Sequence, residues 1–284
     1  MSKSAVLLVS CPDRPGLVAS ITDFIFRRKG NILHLDQHVD SEQDVFFMRV
    51  AWDLAHFETP PERIAAAFAP IAEQYNMDWR LHFSDERLRM AIFVSKQDHC
   101  LYDILSRWQS GELPVEIPLI ISNHPDLAPV ADKFGLPFEV YQINAENKAE
   151  RERQQIERLH THKIDFVVLA RYMQILTGDF ISHFPDRIIN IHHSFLPAFP
   201  GARPYHQAYQ RGVKIIGATS HYVTQDLDAG PIIEQNVARV DHRDSVKDMI
   251  RKGKDLEKTV LASAIWYHIN HRVLAYNNKT VVFQ

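Results

Sequence analysis

Apolar and polar positions in the first part of the chain follow the order strand, helix, strand, strand, helix, strand. Runs such as "SAVLLVS" and "VFFMRVAWDL" predict strands, whereas Leu17, Ile21 and Phe24 recur at the spacing of one helical face. The stretch "PPERIAAAFAPIAEQY" predicts a second helix, since prolines are tolerated in a first turn where the missing N–H has no partner. This βαββαβ order predicts a ferredoxin-like unit.

Farther along the chain, near-continuous apolar runs alternate with helical stretches such as "NKAERERQQIERLH". The predicted strands are "RMAIFVS", "VEIPLIISN", "FEVYQI", "IDFVVLA", "RIINIH" and "KIIGATSHYV". This alternation is typical of βαβ units, and strands without a polar side indicate a sheet that helices cover on both faces. The pattern predicts a Rossmann-like, mostly parallel α/β fold, followed by a long helix and a hairpin that turns at Asn277 and Asn278.

The polar stretch "SDERLR", residues 84–89, separates the two patterns. We therefore predict two domains, a ferredoxin-like domain over residues 1–84 and a Rossmann-like α/β domain over residues 85–284. Ligands of open α/β sheets bind outside the carboxyl ends of the strands, so the candidate site residues are those at strand ends.

The composition limits the kinds of partner that are expected and indicates the cellular compartment. A net charge of −3 offers no basic surface for nucleic acid, so neither DNA nor tRNA is expected to bind. No apolar stretch approaches the roughly 20 residues that span a bilayer, so no membrane association is expected. Cys11 and Cys100 lie 89 positions apart and form no CxxC pair, which favours a reducing compartment. We therefore predict a cytoplasmic protein.

Polar side chains stand at three predicted strand ends. In "NIHHS", residues 190–194, alternate positions share a face, so Asn190 and His192 point together and His193 points away. The other two segments are "LARYMQILTGDF" and "GATSHYVTQDLDAGPI", and the second carries Asp228 before a Gly-Pro turn. Each residue also has a structural explanation: Asn190 could cap a turn, His192 could be a hydrogen-bonded core residue, and Asp228 could belong to the turn itself.

The three segments carry the motifs N-I-H-x-S-x-L-P, H-x-V-x-x-x-L-D-x-G-P-I and L-A-x-x-M-x-I-L. Over roughly residues 88–240, the chain thereby resembles the formyl-tetrahydrofolate-dependent transferases and hydrolases, of which glycinamide ribonucleotide transformylase is the type case. The resemblance implies that Asn190, His192 and Asp228 surround the formyl group, and His192 and Asp228 lie 36 positions apart in line with it. It also implies a place in one-carbon metabolism and purine biosynthesis.

These residue types suit transfer of a formyl group. The reaction passes through a tetrahedral carbon whose oxygen gains negative charge, and an asparagine N–H and a protonated imidazole can stabilise that oxygen. A nearby carboxylate can hold the imidazolium, orient water and relay its proton. Water or an amine attacks directly, so no serine or cysteine nucleophile is required.

The resemblance further implies 10-formyltetrahydrofolate as the substrate and no tightly bound cofactor. The pterin is expected between two loops, whose residues are Tyr172, Met173, Ile175, Leu176, Thr224, Gln225, Asp226 and Leu227. Plain core packing is the alternative for Met173, Ile175 and Leu176, and an ordinary loop position is the alternative for Asp226. His221 is left open as a residue that supports the site from behind.

Water is favoured over an amine as the acceptor. Transferases of the family hold a substrate phosphate in a Gly-Ser-Asn-rich loop after the first strand, because glycine lets backbone N–H groups close on the anion. This chain has "FVSKQDHCL" there and no glycine between Gly30 and Gly111. Together with the first domain, this loop resembles the deformylases of the family, which hydrolyse 10-formyltetrahydrofolate to formate and tetrahydrofolate. A formyltransferase acting on an amine stays an alternative.

The turn "DRPG" in a βαββαβ unit resembles an ACT domain over roughly residues 5–85. Such modules often bind amino acids at paired interfaces, so the resemblance implies an amino-acid effector near Asp13, Arg14 and Gly16 and a homo-oligomer, either a dimer or a tetramer. Glycine or methionine is the natural candidate in one-carbon metabolism. A catalytically inactive amino-acid sensor is a further alternative.

A metal site is the competing use of the 16 histidines. The chain has no HExxH motif and no cysteine near His192 and His193, so it does not resemble a zinc-dependent deformylase. His160 and His162 lie in a charged helical end, where a solvated face is the expectation. We therefore predict no metal.

Overall fold

A computed structural model of the chain describes residues 3–198 and 204–284. Its internal contacts form two compact units. The first comprises Met1–Arg87, Asn270–Leu274 and Val281–Gln284, and the second comprises Leu88–Ile269 and Ala275–Thr280. The expected domains, residues 1–84 and 85–284, stay a prediction, whereas the contacts place the break three residues later and assign two late segments to the first unit.

The first unit has the predicted βαββαβ order. Its elements are β1 (Ser4–Pro12), α1 (Leu17–Phe26), β2 (Asn31–Asp40), β3 (Val45–Asp53), α2 (Pro61–Tyr75) and β4 (Asp78–Phe83). The strands pair antiparallel in the order β2-β3-β1-β4, and Ile21, Trp52 and Phe68 are buried in the core. Gly16 precedes α1 with a left-handed φ of 94°, which explains the glycine of the "DRPG" turn.

The second unit is built around a sheet of seven strands in the order β11-β10-β9-β8-β5-β6-β7. Its strands are β5 (Arg89–Val94), β6 (Glu116–Ser122), β7 (Phe138–Val140), β8 (Phe166–Leu169), β9 (Ile188–His192), β10 (Ile215–Tyr222) and β11 (Ile232–Arg239). Its helices are α3 (His99–Gln109), α4 (Ala128–Lys133), α5 (Lys148–Thr161), α6 (Gly178–Ser182), α7 (Pro204–Arg211) and α8 (Val246–Ile269).

The mostly parallel sheet is as predicted. Strands β9, β8, β5, β6 and β7 run parallel, while β10 pairs antiparallel with both β9 and β11. Central strands such as β8 are buried along their whole length, as expected for a sheet covered on both faces. Strand β11 was not among the predicted strands, and four of its eight residues are exposed at the edge of the sheet, where an apolar pattern is not needed.

The chain then forms a hairpin of β12 (Val273–Tyr276) and β13 (Lys279–Val282). Asn277 and Asn278 have φ angles of 43° and 59°, so the asparagine pair forms the predicted turn in the left-handed region that asparagine tolerates. Among the helices of residues 3–198 and 204–284, none combines the length and apolar character needed to cross a bilayer.

Candidate active site

Strands β9 and β10 bring two polar side chains together. Antiparallel pairing of these strands sets Asn190 opposite His221. The Asn190 Nδ2 atom lies 3.2 Å from His221 Nε2, and His221 Nδ1 lies 2.9 Å from the carbonyl oxygen of Tyr222. Because a carbonyl only accepts, His221 carries its proton on Nδ1, and Asn190 Nδ2 donates to its Nε2. One N–H of the Asn190 amide is thereby left for another acceptor.

Asp228 reaches these residues through a tightly folded loop between β10 and β11. Its backbone is left-handed, with φ 55°. At Gly230, a Cβ atom would lie 1.9 Å from the carbonyl oxygen of Tyr222, so only glycine permits this approach. The Tyr222 N–H donates to the Pro231 carbonyl at 2.9 Å and closes the loop.

The loop carries the Asp228 carboxylate to two histidines. Its Oδ1 lies 3.2 Å from His192 Nδ1 and 3.9 Å from His221 Nε2. The Nε2 atom of His192 is buried and has no hydrogen-bond partner among the residues that the structure describes. Asn190, His192 and Asp228 are therefore brought together, and one N–H of Asn190 and the Nε2 atom of His192 are left for a ligand.

The protonation of these groups follows from burial and from their neighbours. Burial raises the pKa of Asp228, but the hydrogen bond and the electrostatic interaction with His192, with smaller contributions from His221 and His193, outweigh it, so the net pKa lies below the ordinary value. Burial lowers the pKa of His221, which keeps this imidazole neutral. The site thus pairs an ionised carboxylate with a neutral histidine that orients Asn190.

The expectation that His193 points away from the site is wrong. His193 lines the same cavity as His192, and the two ring centroids are 5.2 Å apart. Strand β9 ends at His192, so the alternation of side chains between faces does not extend to His193. Burial lowers the pKa of His193 to about 4, helped by the charge of Arg171, so its ring is neutral at pH 7.

A cavity of about 560 Å³ opens at these strand ends, a volume typical of small-molecule sites. Besides the three polar residues, the lining includes all the predicted pterin-binding residues, namely Tyr172, Met173, Ile175, Leu176, Thr224, Gln225, Asp226 and Leu227. Met173, Ile175 and Leu227 are about 60% exposed, which is unusual for large apolar side chains and favours a ligand surface over core packing. Their contact with a pterin stays a prediction.

Buried polar groups hold the loop that follows β8. The Ser95 hydroxyl accepts from the Met173 N–H at 2.9 Å and donates to Asn123 Oδ1 at 2.6 Å. Thr177, at the other end of the loop, caps α6 and hydrogen-bonds the buried carboxylate of Glu152 through its hydroxyl. The apolar cavity wall is therefore anchored at both ends.

A second cluster in the cavity escaped the sequence analysis. Glu257 of α8 accepts from Tyr205 Oη at 2.9 Å and from His99 Nε2 at 2.7 Å, and Arg171 Nε lies 3.4 Å from the same carboxylate. Glu257 is 1% exposed. The signal was its position on the apolar face of α8, one turn after Gly253, within the charged run "KGKDLEK".

The ligand atoms of His99, Cys100 and Glu257 lie within 4.8 Å of one another, a spacing that could hold a metal ion. The donor set does not favour one. Glu257 is already bonded to His99 and lies beside the Arg171 guanidinium, and burial raises the pKa of the Cys100 thiol, which opposes the thiolate that metals bind. We assign no metal to this cluster.

The predicted effector residues lie in the first unit. The Asp13 N–H donates to the Asp44 carbonyl, and Arg14 donates to the Gln74 carbonyl at 2.8 Å and stacks over the Tyr75 ring. Gly16 lies close to the Tyr75 hydroxyl. These contacts show how the turn is held, and an effector at this turn stays a prediction.

Comparison with known proteins finds a matching family model for each of the two units. A formyl transferase family model matches residues 88–265, and an ACT domain model matches residues 5–69. A formyltetrahydrofolate deformylase of Synechocystis sp. is 58% identical over 280 residues, which cover 99% of this chain and 98% of that relative. The chain belongs to the formyltetrahydrofolate deformylase family.

Solved structures agree with this family assignment. The crystal structure of a formyltetrahydrofolate deformylase from Pseudomonas syringae has a TM-score of 0.98 and 44% identity, covering 100% of this chain and 95% of that one. A glycinamide ribonucleotide transformylase from Symbiobacterium toebii has a TM-score of 0.67 and 30% identity, covering 72% of this chain and 98% of that one. The deformylase family therefore shares the fold of its α/β unit with transformylases.

Proposed function

We propose that the chain hydrolyses 10-formyltetrahydrofolate to formate and tetrahydrofolate at the cavity of Asn190, His192 and Asp228. The observation that carries the proposal is the contact of the Asp228 carboxylate with His192 Nδ1 at 3.2 Å, which leaves the buried His192 Nε2 for a substrate oxygen. The high identity to a relative named formyltetrahydrofolate deformylase supports the substrate.

The residues act on a water that attacks the formyl carbon. The oxygen of that carbon gains negative charge and accepts from Asn190 Nδ2 and His192 Nε2, and one such donor is typically worth about 3 kcal/mol of the barrier. Asp228 balances the charge of the doubly protonated imidazole and then takes a proton from the attacking water. The bond from carbon to N10 breaks, N10 gains the proton that Asp228 took, and formic acid ionises to formate.

The folate takes its place along the two loops that line the cavity. Tyr172, Met173, Ile175 and Leu176 form one wall, and the loop from Thr224 to Leu227 forms the other. Exposed apolar side chains supply area for the pterin, and backbone N–H and C=O groups of both loops fix its orientation.

The test is formate release from 10-formyltetrahydrofolate by the purified protein without any amine. We expect formate and tetrahydrofolate in equal amounts. Formate no faster than the uncatalysed background would contradict hydrolysis and favour a transferase or an inactive sensor.

For the ACT domain, we propose an amino-acid effector at the turn of Asp13, Arg14 and Gly16 and a cytoplasmic homo-oligomer. Support comes from the match of residues 5–69 to an ACT domain model and from the left-handed, exposed Gly16 before α1, which lies beside the exposed Arg14. If no amino acid changes the rate of formate release, the proposal of an effector is contradicted. A monomeric mass in solution would contradict the proposed oligomer.

A further inference from the structure

Both carboxylate oxygens of Glu257 contact neighbouring side chains. Oε1 accepts from the Tyr205 hydroxyl, while Oε2 accepts from His99 Nε2 and lies beside Arg171 Nε. Burial raises the pKa of Glu257, but His99, Arg171 and Tyr205 together lower it below the ordinary value, so the carboxylate is ionised. Because Glu257 is only 1% exposed, its carboxylate presents almost no surface to an incoming group.

Arg171 is placed here by an uncommon backbone conformation. Its φ is 63°, in the left-handed region that non-glycine residues rarely occupy, and its side chain is only 8% exposed. Local strain of this kind persists only where the surrounding structure enforces it. A large, charged side chain therefore stands in the cavity at a position whose backbone would suit glycine.

Tyr205 is held against α8 at Gly253. A Cβ atom on Gly253 would lie 2.0 Å from the Tyr205 hydroxyl oxygen, so the absence of a side chain at this position lets the hydroxyl reach Glu257 one turn farther along. Three separate elements, the loop after β8, α7 and α3, thus converge on one carboxylate of α8.

This cluster adjoins the reacting groups. The Tyr205 ring lies 6.0 Å from the His193 ring, which in turn lies 5.2 Å from the ring of His192. Arg171, Tyr205 and Glu257 line the same cavity as His192 and Asp228. Outside the Thr224–Asp228 loop, Glu257 is the only acidic residue among the described residues of that lining.

We propose that the Arg171–Glu257 pair, held by His99 and Tyr205, makes water the acceptor by excluding amines from the formyl carbon. The inference rests on the proposed hydrolysis. With the folate on its two loops, an acceptor must approach along the remaining wall. An amine needs space and a hydrogen-bond acceptor there, and this wall offers a buried carboxylate that already bonds Tyr205 and His99, and the positive charge of Arg171. Water needs neither.

The experiment measures how the formyl group divides between water and an amine. The substrate carries a 13C-labelled formyl group, and glycinamide serves as a small primary amine at increasing concentration at pH 8. In transfer, the amine nitrogen bonds to the formyl carbon, the bond to N10 breaks, and N10 takes the proton that the amine loses. Formate and N-formylglycinamide are then quantified by 13C NMR.

The main variant is Arg171→Gly with Glu257→Gln. Glycine accepts φ 63° without strain. Removing both charges avoids leaving one buried charge without its partner. Tyr205→Phe is the milder second variant, because it frees Oε1 of Glu257 and keeps the ring.

The matched control is Glu139→Gln with Arg158→Gln. These two residues form an ion pair of the same unit outside the cavity lining, in which Arg158 Nε lies 3.0 Å from Glu139 Oε1.

We expect formate alone from the wild type and the control at every glycinamide concentration. In the double variant the ratio of N-formylglycinamide to formate should rise at least about tenfold, with a smaller rise in Tyr205→Phe. Variants that hydrolyse without forming the amide would overturn the inference. So would a folded double variant that neither hydrolyses nor transfers. If the double variant does not fold, Tyr205→Phe decides by the same ratio. A wild type without formate release would instead refute the proposed function.

Discussion

The proposed chemistry depends on where single protons are held. The Tyr222 carbonyl fixes the Nδ1 proton of His221, and His221 fixes which way the Asn190 amide points. Asp228 in turn fixes the Nδ1 proton of His192 and leaves Nε2 for the substrate. To hold the imidazole of His192 in this way, the carboxylate of Asp228 must be ionised. The pKa of Asp228 lies below the ordinary value, so the group is ionised at neutral pH.

Asp228→Asn tests that carboxylate. The amide can neither accept a proton from water nor balance an imidazolium, so kcat should fall by at least about 100-fold. The thermal transition should stay close to that of the wild type, because asparagine also tolerates the left-handed φ of 55°.

The matched control is Asp186→Asn, an aspartate with φ 51° outside the cavity lining. This variant should keep wild-type turnover. Wild-type rates in Asp228→Asn would remove the role assigned to Asp228.

His193 gives a prediction for acid stability. Its pKa is about 4 in the folded state against 6.5 for an unperturbed histidine, chiefly because of burial. Above pH 6.5 the ring is neutral in both states. Below that, the unfolded state binds the proton first, so stability falls as the pH falls towards 4. Between pH 7 and 5 this one group should cost up to about 2 kcal/mol of unfolding free energy.

His193→Gln removes the titrating group. In urea unfolding at pH 7 and pH 5, the variant should lose up to about 2 kcal/mol less stability than the wild type. Equal losses in the two proteins would show that the folded-state pKa of His193 is not lowered.

At the scale of elements, the loop after β8 depends on Thr177. Its hydroxyl caps α6 by accepting from the Phe180 N–H at 3.3 Å and donates to Glu152, which is 3% exposed. Thr177→Val keeps the shape and removes both hydrogen bonds, which should cost about 2 kcal/mol of unfolding free energy. KM for 10-formyltetrahydrofolate should rise several-fold with kcat little changed, since the loop carries predicted folate contacts and no reacting group.

Thr177→Ser retains the hydroxyl and should restore both KM and the urea midpoint. An unchanged KM in Thr177→Val would show that the cap of α6 does not affect folate binding.

The order of strands and helices could be predicted because each element carries its own pattern of apolar residues. The convergence of Asn190, His192 and Asp228 followed from motifs at strand ends. Glu257 could not be found this way, because its burial depends on His99, 158 positions earlier in the chain, and on Tyr205. The orientation of His193 was missed because strand alternation was extended one residue beyond the end of β9.

At the scale of the whole molecule, residues far apart in sequence complete the first unit. Buried Arg49 donates from Nε to the His271 carbonyl at 2.9 Å and from Nη2 to the Asn270 carbonyl at 3.2 Å, and the rings of His82 and His271 stack 3.6 Å apart. A fragment of residues 1–87 would therefore leave a buried guanidinium without these acceptors.

We expect circular dichroism, including the near-UV signal, to show that this fragment is largely unfolded. Adding a peptide of residues 270–284 should restore a cooperative thermal transition, and the same peptide in scrambled order should not. A fragment that melts cooperatively by itself would show that the late segments are dispensable for this unit.

One compact unit contains residues 3–87, 270–274 and 281–284. This division of the chain affects the order in which the units can fold during synthesis. The ribosome makes the chain from its amino end, so the ACT region emerges first but lacks the carbonyls that Arg49 binds until residue 271 has left the exit tunnel. The α/β unit lies almost entirely in the uninterrupted stretch Leu88–Ile269 and can pack before that point. The region translated first is thus the one whose folding finishes last.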